Sequence, residues 1–153
     1  MFHLFQKKTV DFFSTEEKQI ITAAIQAAER STSGEVRVYI ESKCRFVNAV
    51  DRATEIFSQL KMEGTAQRNG VLVYVAVLDR QLAVYGDEGI HQKVGNVFWK
   101  ESVAKMLLHF NKENYAEGIA QVVKQIGEAL TYHFPYDIEN DVNELPDDIV
   151  FGR

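Results

Sequence analysis

A chain of 153 residues, 46% hydrophobic and 25% charged, has material for one globular core and too little for two full-sized domains. Its formal net charge of −5 and isoelectric point near 5.4 argue against a general nucleic-acid binder, whose affinity rests on a basic face that neutralises phosphates. A single cysteine, Cys44, rules out an intramolecular disulfide and the thiolate zinc clusters built on paired cysteines.

The opening MFHLFQKKTVDFF places its lysines after a very short apolar stretch and shows no small-residue cleavage site, so it does not read as a signal peptide. Next, STEEKQIITAAIQAAERSTSG gives Ser14 as a helix N-cap with Glu17 at capping-box spacing. Ile20, Ile21, Ala24, Ile25 and Ala28 form its apolar stripe, and Gly34 is its expected end. EVRVYIE alternates, with Val36, Val38 and Ile40 on one face, and predicts a strand over 35–41. NAVDRATEIFSQLKMEG has the 3.6-residue period through Val50, Ala53, Phe57 and Leu60, with Gly64 closing the segment.

GVLVYVAVL is apolar on both faces and rich in β-branched residues, as expected of a central strand covered by helices on both sides. Its longest apolar run, VLVYVAVL, is eight residues, whereas a bilayer span needs about 20. The chain is therefore expected to be a cytoplasmic monomer with no direct membrane insertion. DRQ then predicts a tight turn and LAVY a shorter antiparallel strand. Beyond the GDEG turn, KVGNVFWKESVAKMLLHF is an imperfect helical pattern carried by Val97, Ala104, Leu107 and Leu108, with Trp99 assigned to the core. A clearer helix runs from Asn114 to about His133. It faces Tyr115, Ile119, Val122, Val123, Ile126 and Leu130 inward and shows a cap spacing between Asn114 and Glu117. Residues 1–135 thus read as one domain. The remaining 136–153 read as an acidic tail able to pack back through Ile149, Val150 and Phe151.

Strand, helix and strand over 35–78 form a βαβ unit, so the two strands are parallel with a right-handed crossover, and the DRQ hairpin makes the third antiparallel. Such a mixed α/β sheet, sandwiched between helix layers, brings three places to one end. They are Ser33, Gly34 and Glu35; Arg68, Asn69 and Gly70; and Gly86, Asp87, Glu88 and Gly89. Three carboxylates and a carboxamide have the chemistry of a hard-cation site, because calcium accepts carboxylate, amide and main-chain oxygens. The spacing is not that of an EF-hand. A plainer account stands beside it, in which Asp87 caps the next helix, Asn69 and Gly70 form a turn pair, and Glu35 pairs with Arg37 or Arg68. His91 is the only histidine near this end and reads as a solvated or capping residue.

FSTEEKQIITAAIQAAERSTSGEVRVYIE, RNGVLVYVAVLDRQLAVYGDEGI and NYAEGIAQVVKQIGEAL together resemble the TPM domain family of thylakoid-lumen, membrane-anchored and bacterial proteins, over roughly residues 12 to 133. The resemblance implies a three-layer α/β/α sandwich with a mixed central sheet. It also implies a divalent cation at the end just described, with calcium the first candidate and magnesium or zinc the others. Asn69 and Gly70, and Gly86, Asp87, Glu88 and Gly89, match the family's motif positions, and Glu35 aligns with them less closely.

Three functions follow as expectations. The first is a cation-binding domain that scaffolds or regulates a protein partner, a membrane-protein assembly among the candidates. The second is a metal-dependent acid phosphatase acting on phosphomonoesters, implied by an activity attributed to some chloroplast relatives, with Asp87 and Glu88 holding the ion and Glu35 positioning water. The third is a metal-free interaction domain that meets a basic partner through its acidic groups. No nucleophile or general acid accompanies the carboxylates, which weighs against catalysis.

Overall fold

The computed structural model describes residues 12–136 and 149–152. In chain order the elements are α1 (Thr15–Glu29), β1 (Glu35–Glu41), α2 (Ala49–Gln59), β2 (Gly70–Ala76), β3 (Gln81–Gly86), α3 (Glu88–Asn111), α4 (Tyr115–His133) and β4 (Val150–Phe151). The sheet order is β3-β2-β1-β4. β1 runs parallel to β2 and β4, and β2 antiparallel to β3. The expected βαβ unit and hairpin are both present.

Strand alternation sorts the core into two halves. Val36, Val38, Ile40, Val71, Val73, Val75 and Val84 point into the larger cluster, which α1, α3 and α4 cover with Ile25, Met106, Phe110, Ile119 and Ile126 among others. Leu72, Tyr74, Ala76 and Ala83 point the other way, onto Ala53, Ile56 and Phe57 of α2. β2 is buried along its whole length, which is why its sequence shows no polar face.

Local signals explain most element starts. Ser14 Oγ accepts from Glu17 N at 3.1 Å while Glu17 Oε1 accepts from Ser14 N at 2.9 Å, completing the capping box of α1. Asn48 caps α2 by accepting from Val50 N at 2.8 Å. By contrast, Asn114 precedes α4 without a side-chain cap bond; its backbone, at φ −94 and ψ 61, departs from the extended cap geometry.

Four expectations change. α1 stops at Glu29 with Arg30 as its C-cap, five residues short of Gly34 (34 − 29 = 5). Gly34 is needed elsewhere, since a Cβ there would lie 2.7 Å from Leu130 Cδ2 of α4. α2 buries Ala49, Ala53, Ile56 and Phe57, leaving Val50 exposed. In α3, Gly95 adopts φ 78 and ψ 174, a conformation essentially restricted to glycine, and this break resets the helical phase. The buried face is accordingly Trp99, Ser102, Met106 and Phe110, while Val97 and Leu108 are about two-thirds exposed. Trp99 is in the core, as expected. Finally, Val150 and Phe151 form a fourth strand opposite Tyr39 and Ile40, with Ile149 and Phe151 against the larger core. Residues 137–148, which hold most of the acidic tail, lie outside the described residues.

The phase of α3 yields a direct test. Met106→Ala should cost about 2–5 kcal/mol in urea unfolding, as expected for a fully buried side chain, whereas Val97→Ser and Leu108→Ser should each stay within about 0.5 kcal/mol of the parent.

Candidate cation site at the amino ends of the parallel strands

The loop before β2 and the turn after β3 are built against each other. Asp87 N donates to Gly70 O at 2.9 Å, Gly89 N to Arg68 O at 2.9 Å, and Glu35 N to Asn69 O at 3.4 Å. The two glycines of the turn serve this approach through their lack of a side chain, since among the glycines only Gly95 has a positive φ. A Cβ on Gly86 would stand 2.2 Å from Trp99 Cζ2, and one on Gly89 would stand 2.1 Å from Gln67 O. Trp99 is itself held by a bond from its Nε1 to His91 Nδ1 at 2.9 Å. His91, half-buried, is thus a packing partner of the turn through Trp99.

Arg68 closes the junction. Its Nε donates to Asp87 Oδ2 at 2.6 Å, its Nη2 to Asp87 Oδ1 at 2.9 Å and its Nη1 to Glu88 Oε1 at 3.2 Å. The forked contact to Asp87 is the geometry in which guanidinium and carboxylate bind most strongly. Hydrogen bonding to Asp87 is the main reason the Arg68 pKa lies above its ordinary value. Arg68 takes φ 52, a left-handed conformation uncommon for a side chain of its size. Asp87 also caps α3, with Oδ1 accepting from Glu88 N at 2.8 Å, so the capping account of this residue holds.

Asn69 lies beside this pair. Its main-chain N–H donates to Thr65 Oγ1 at 3.2 Å and its Nδ2 to Ser33 Oγ at 3.3 Å. Its Oδ1 is buried without a hydrogen-bond partner among the described residues, and the residue as a whole is 1% exposed. Glu35 is buried at the start of β1, opposite Gly70, on the strand face shared with Arg37 and Tyr39. The junction therefore gathers Asp87, Glu88, Asn69 and Arg68. Among the described residues no group of three His, Cys, Asp or Glu side chains lies close enough to hold a metal ion, so Glu35 does not join the other two carboxylates in one cluster.

A family profile described as the TPM domain matches residues 7–129. The chain belongs to the TPM domain family. This TPM domain is 38% identical to the BA42 protein of the psychrophilic bacterium Bizionia argentinensis. It matches that protein's NMR structure with a TM-score of 0.85 over 96% of this chain and 100% of the other. Two more distant NMR structures share its fold. The N-terminal domain of the cg2496 protein of Corynebacterium glutamicum is 15% identical, with a TM-score of 0.63 over 82% of each chain. That of a P. gingivalis protein is 19% identical, with a TM-score of 0.64 over 83% of each chain. No curated protein matches the chain. Among the described residues no helix is long and apolar enough to cross a membrane.

The opposite end of the sheet of this TPM domain carries a second polar cluster. Arg52 donates through Nε to Glu41 Oε2 at 2.9 Å and through Nη2 to Glu41 Oε1 at 2.8 Å, and it also pairs with Glu55. The phenol of Tyr74, fully buried, donates to Glu41 Oε2. Burial first, and then the bond to Glu41, raise the Tyr74 pKa far above its ordinary value. The alternation of EVRVYIE already placed Glu41 on the face of Tyr39 and away from the larger core. It could not announce Arg52 or Tyr74, which reach it from α2 and β2.

Tyr74 sets a pH limit. Because the folded state keeps the phenol neutral, its contribution is complete below the unfolded pKa of about 10 and is lost as pH climbs from there toward the raised folded value. The stability difference between the parent and Tyr74→Phe, measured by urea unfolding, should hold constant from neutral pH to about 10 and narrow above it.

Proposed function

We propose that this TPM domain binds a divalent cation of the calcium type at the Arg68–Asp87 junction and uses it to regulate or scaffold a protein partner. The observation that carries this reading is a junction where Arg68 is forked onto the buried carboxylate of Asp87 and reaches Glu88, while the buried Oδ1 of the adjoining Asn69 has no hydrogen-bond partner among the described residues. A buried carbonyl oxygen without a donor costs stability, and a cation is one species that would repay that cost. The donors are all oxygen, which suits calcium or magnesium better than zinc. Asp87, Glu88 and Asn69 would hold the ion, with main-chain carbonyls and water completing its shell. The ion would supply a fixed positive charge where Arg68 now supplies a movable one.

The phosphatase alternative needs Glu35 beside the ion to position water. Among the described residues the three carboxylates do not converge, and no observation favours that reading. Arg68 and calcium would compete for the same oxygens, so the side chain that stabilises the metal-free junction should weaken the site. Isothermal titration of chelator-treated protein should show calcium binding that becomes about tenfold tighter in Arg68→Met, since a cation that must first displace a partner loses that partner's contribution. Calcium should also raise the thermal midpoint, because an ion bound only by the folded state stabilises it by mass action. Unchanged affinity in Arg68→Met would separate Arg68 from the site. Absence of binding in both proteins would remove the cation reading.

A further inference from the structure

The main chain of Asn69 is pinned on both sides. Its N–H donates to Thr65 Oγ1 at 3.2 Å and its carbonyl accepts from Glu35 N at 3.4 Å, in a residue that is almost wholly buried. What is left to settle is the direction of the carboxamide, whose oxygen and NH2 group are of nearly the same size and of opposite hydrogen-bonding character. A half-turn of that group exchanges an acceptor for a donor.

Ser33 sets that direction from the α1–β1 loop, 36 positions away in sequence. Its Oγ accepts from Asn69 Nδ2 at 3.3 Å and from Gln67 Nε2 at 3.2 Å, so both lone pairs of the hydroxyl oxygen are taken by amide donors. The oxygen itself sits on an anchored stretch of chain. Ser33 N donates to Phe134 O at 3.1 Å, the buried Thr32 donates its hydroxyl to the same carbonyl, and Gly34 N donates to Thr32 Oγ1 at 3.0 Å, which ties the loop to the end of α4. With the NH2 group held on Ser33, the Asn69 oxygen is turned to where no described group donates to it. The reverse orientation would put two N–H donors in that place, and donors do not coordinate a cation.

From this geometry we propose that Ser33 is a positioning residue of the cation site, which presents Asn69 Oδ1 as a ligand by accepting from Nδ2. The proposal rests on the cation reading above and adds to it a residue that touches no ion. A ligand oriented in advance need not be turned when the ion binds, and groups that orient ligands without touching the metal commonly account for about ten- to hundredfold in affinity. Gln67, which is exposed, has the lesser part of occupying the second lone pair of the Ser33 oxygen. The α1–β1 loop thereby contributes to a site whose side-chain ligands all lie on the loop before β2 and the turn after β3.

Isothermal titration of the chelator-treated full chain with calcium chloride tests this. Ser33→Ala should bind calcium about tenfold more weakly than the parent, while Ser33→Thr, which keeps the hydroxyl, should recover most of that loss. Ser31→Ala, exposed in the same loop, should bind as the parent does. A second readout needs no ion. In chelator, the Asn69 Nδ2 protons, observed by heteronuclear NMR, should exchange slowly with water in the parent and faster in Ser33→Ala. Calcium affinity in Ser33→Ala equal to that of the parent would overturn the proposal and leave the cation reading standing. A weakening that Ser33→Thr does not restore would overturn it as well, since the loss would then come from the packing of the loop. Absence of calcium binding in the parent would instead remove the cation reading, and the role of Ser33 with it.

Discussion

The side chain of Arg68, with two main-chain hydrogen bonds beside it, joins the two loops on which the amino end of the sheet depends. Its fork onto Asp87 bridges 19 positions of sequence and fixes the turn after β3 to the loop before β2. Several otherwise separate features follow from that closeness. Gly89 must lack a side chain because the main chain of Gln67 and Arg68 occupies the space, and Gly86 must lack one because Trp99 does. Arg68 adopts a left-handed backbone conformation while its guanidinium reaches the acids. Asn69 is pressed into the interior with its side-chain amide donating one hydrogen bond to Ser33 and a carbonyl oxygen to which no described group donates.

Much of this arrangement was legible in the sequence because the signals were local or strictly periodic. The capping box at Ser14 and Glu17, the alternation of EVRVYIE and the doubly apolar GVLVYVA each fix an element, and connection handedness then orders the strands. Asp87, Glu88 and Asn69 were found at one end for the same reason. What was not legible depends on three-dimensional context. The break at Gly95 looks like an ordinary glycine within a helical pattern, yet it rotates the rest of α3, so that Ser102, Met106 and Phe110 join Trp99 on the inward face and Val97 and Leu108 do not. β4 is two residues long and owes its existence to the open edge of β1, which no pattern in VF could reveal. The strand order places Arg68 at this end, but nothing local says which carboxylate a long cationic side chain will choose, and Glu35 is as plausible in the sequence as Asp87.

The two ends of the sheet handle charge in different ways. At the carboxyl ends of β1 and β2, Glu41 is buried against Arg52 and Tyr74, an arrangement whose disruption would strand a charge in the interior. At the amino ends, the Arg68 side chain is partly exposed while Asp87 is almost wholly buried. A buried acid held by a cation from the solvent side can exchange that cation without dismantling the core. This asymmetry is what makes the Arg68–Asp87 junction the better candidate for a reversible site, and the Glu41 cluster the better candidate for a structural one.

If calcium binds as proposed, it replaces the Arg68 guanidinium on Asp87, and Arg68 itself can report on the exchange. Side-chain Nε–H resonances of arginine, observed by heteronuclear NMR, are slowed in exchange with water when the proton is held by a carboxylate. In chelator the Arg68 Nε–H should be protected. On calcium saturation it should lose that protection while the Asn69 side-chain amide shifts in step. An Arg68 Nε–H that stays protected, with the calcium-induced shifts confined to residues 137–148, would contradict the account and place the cation on the acidic segment instead.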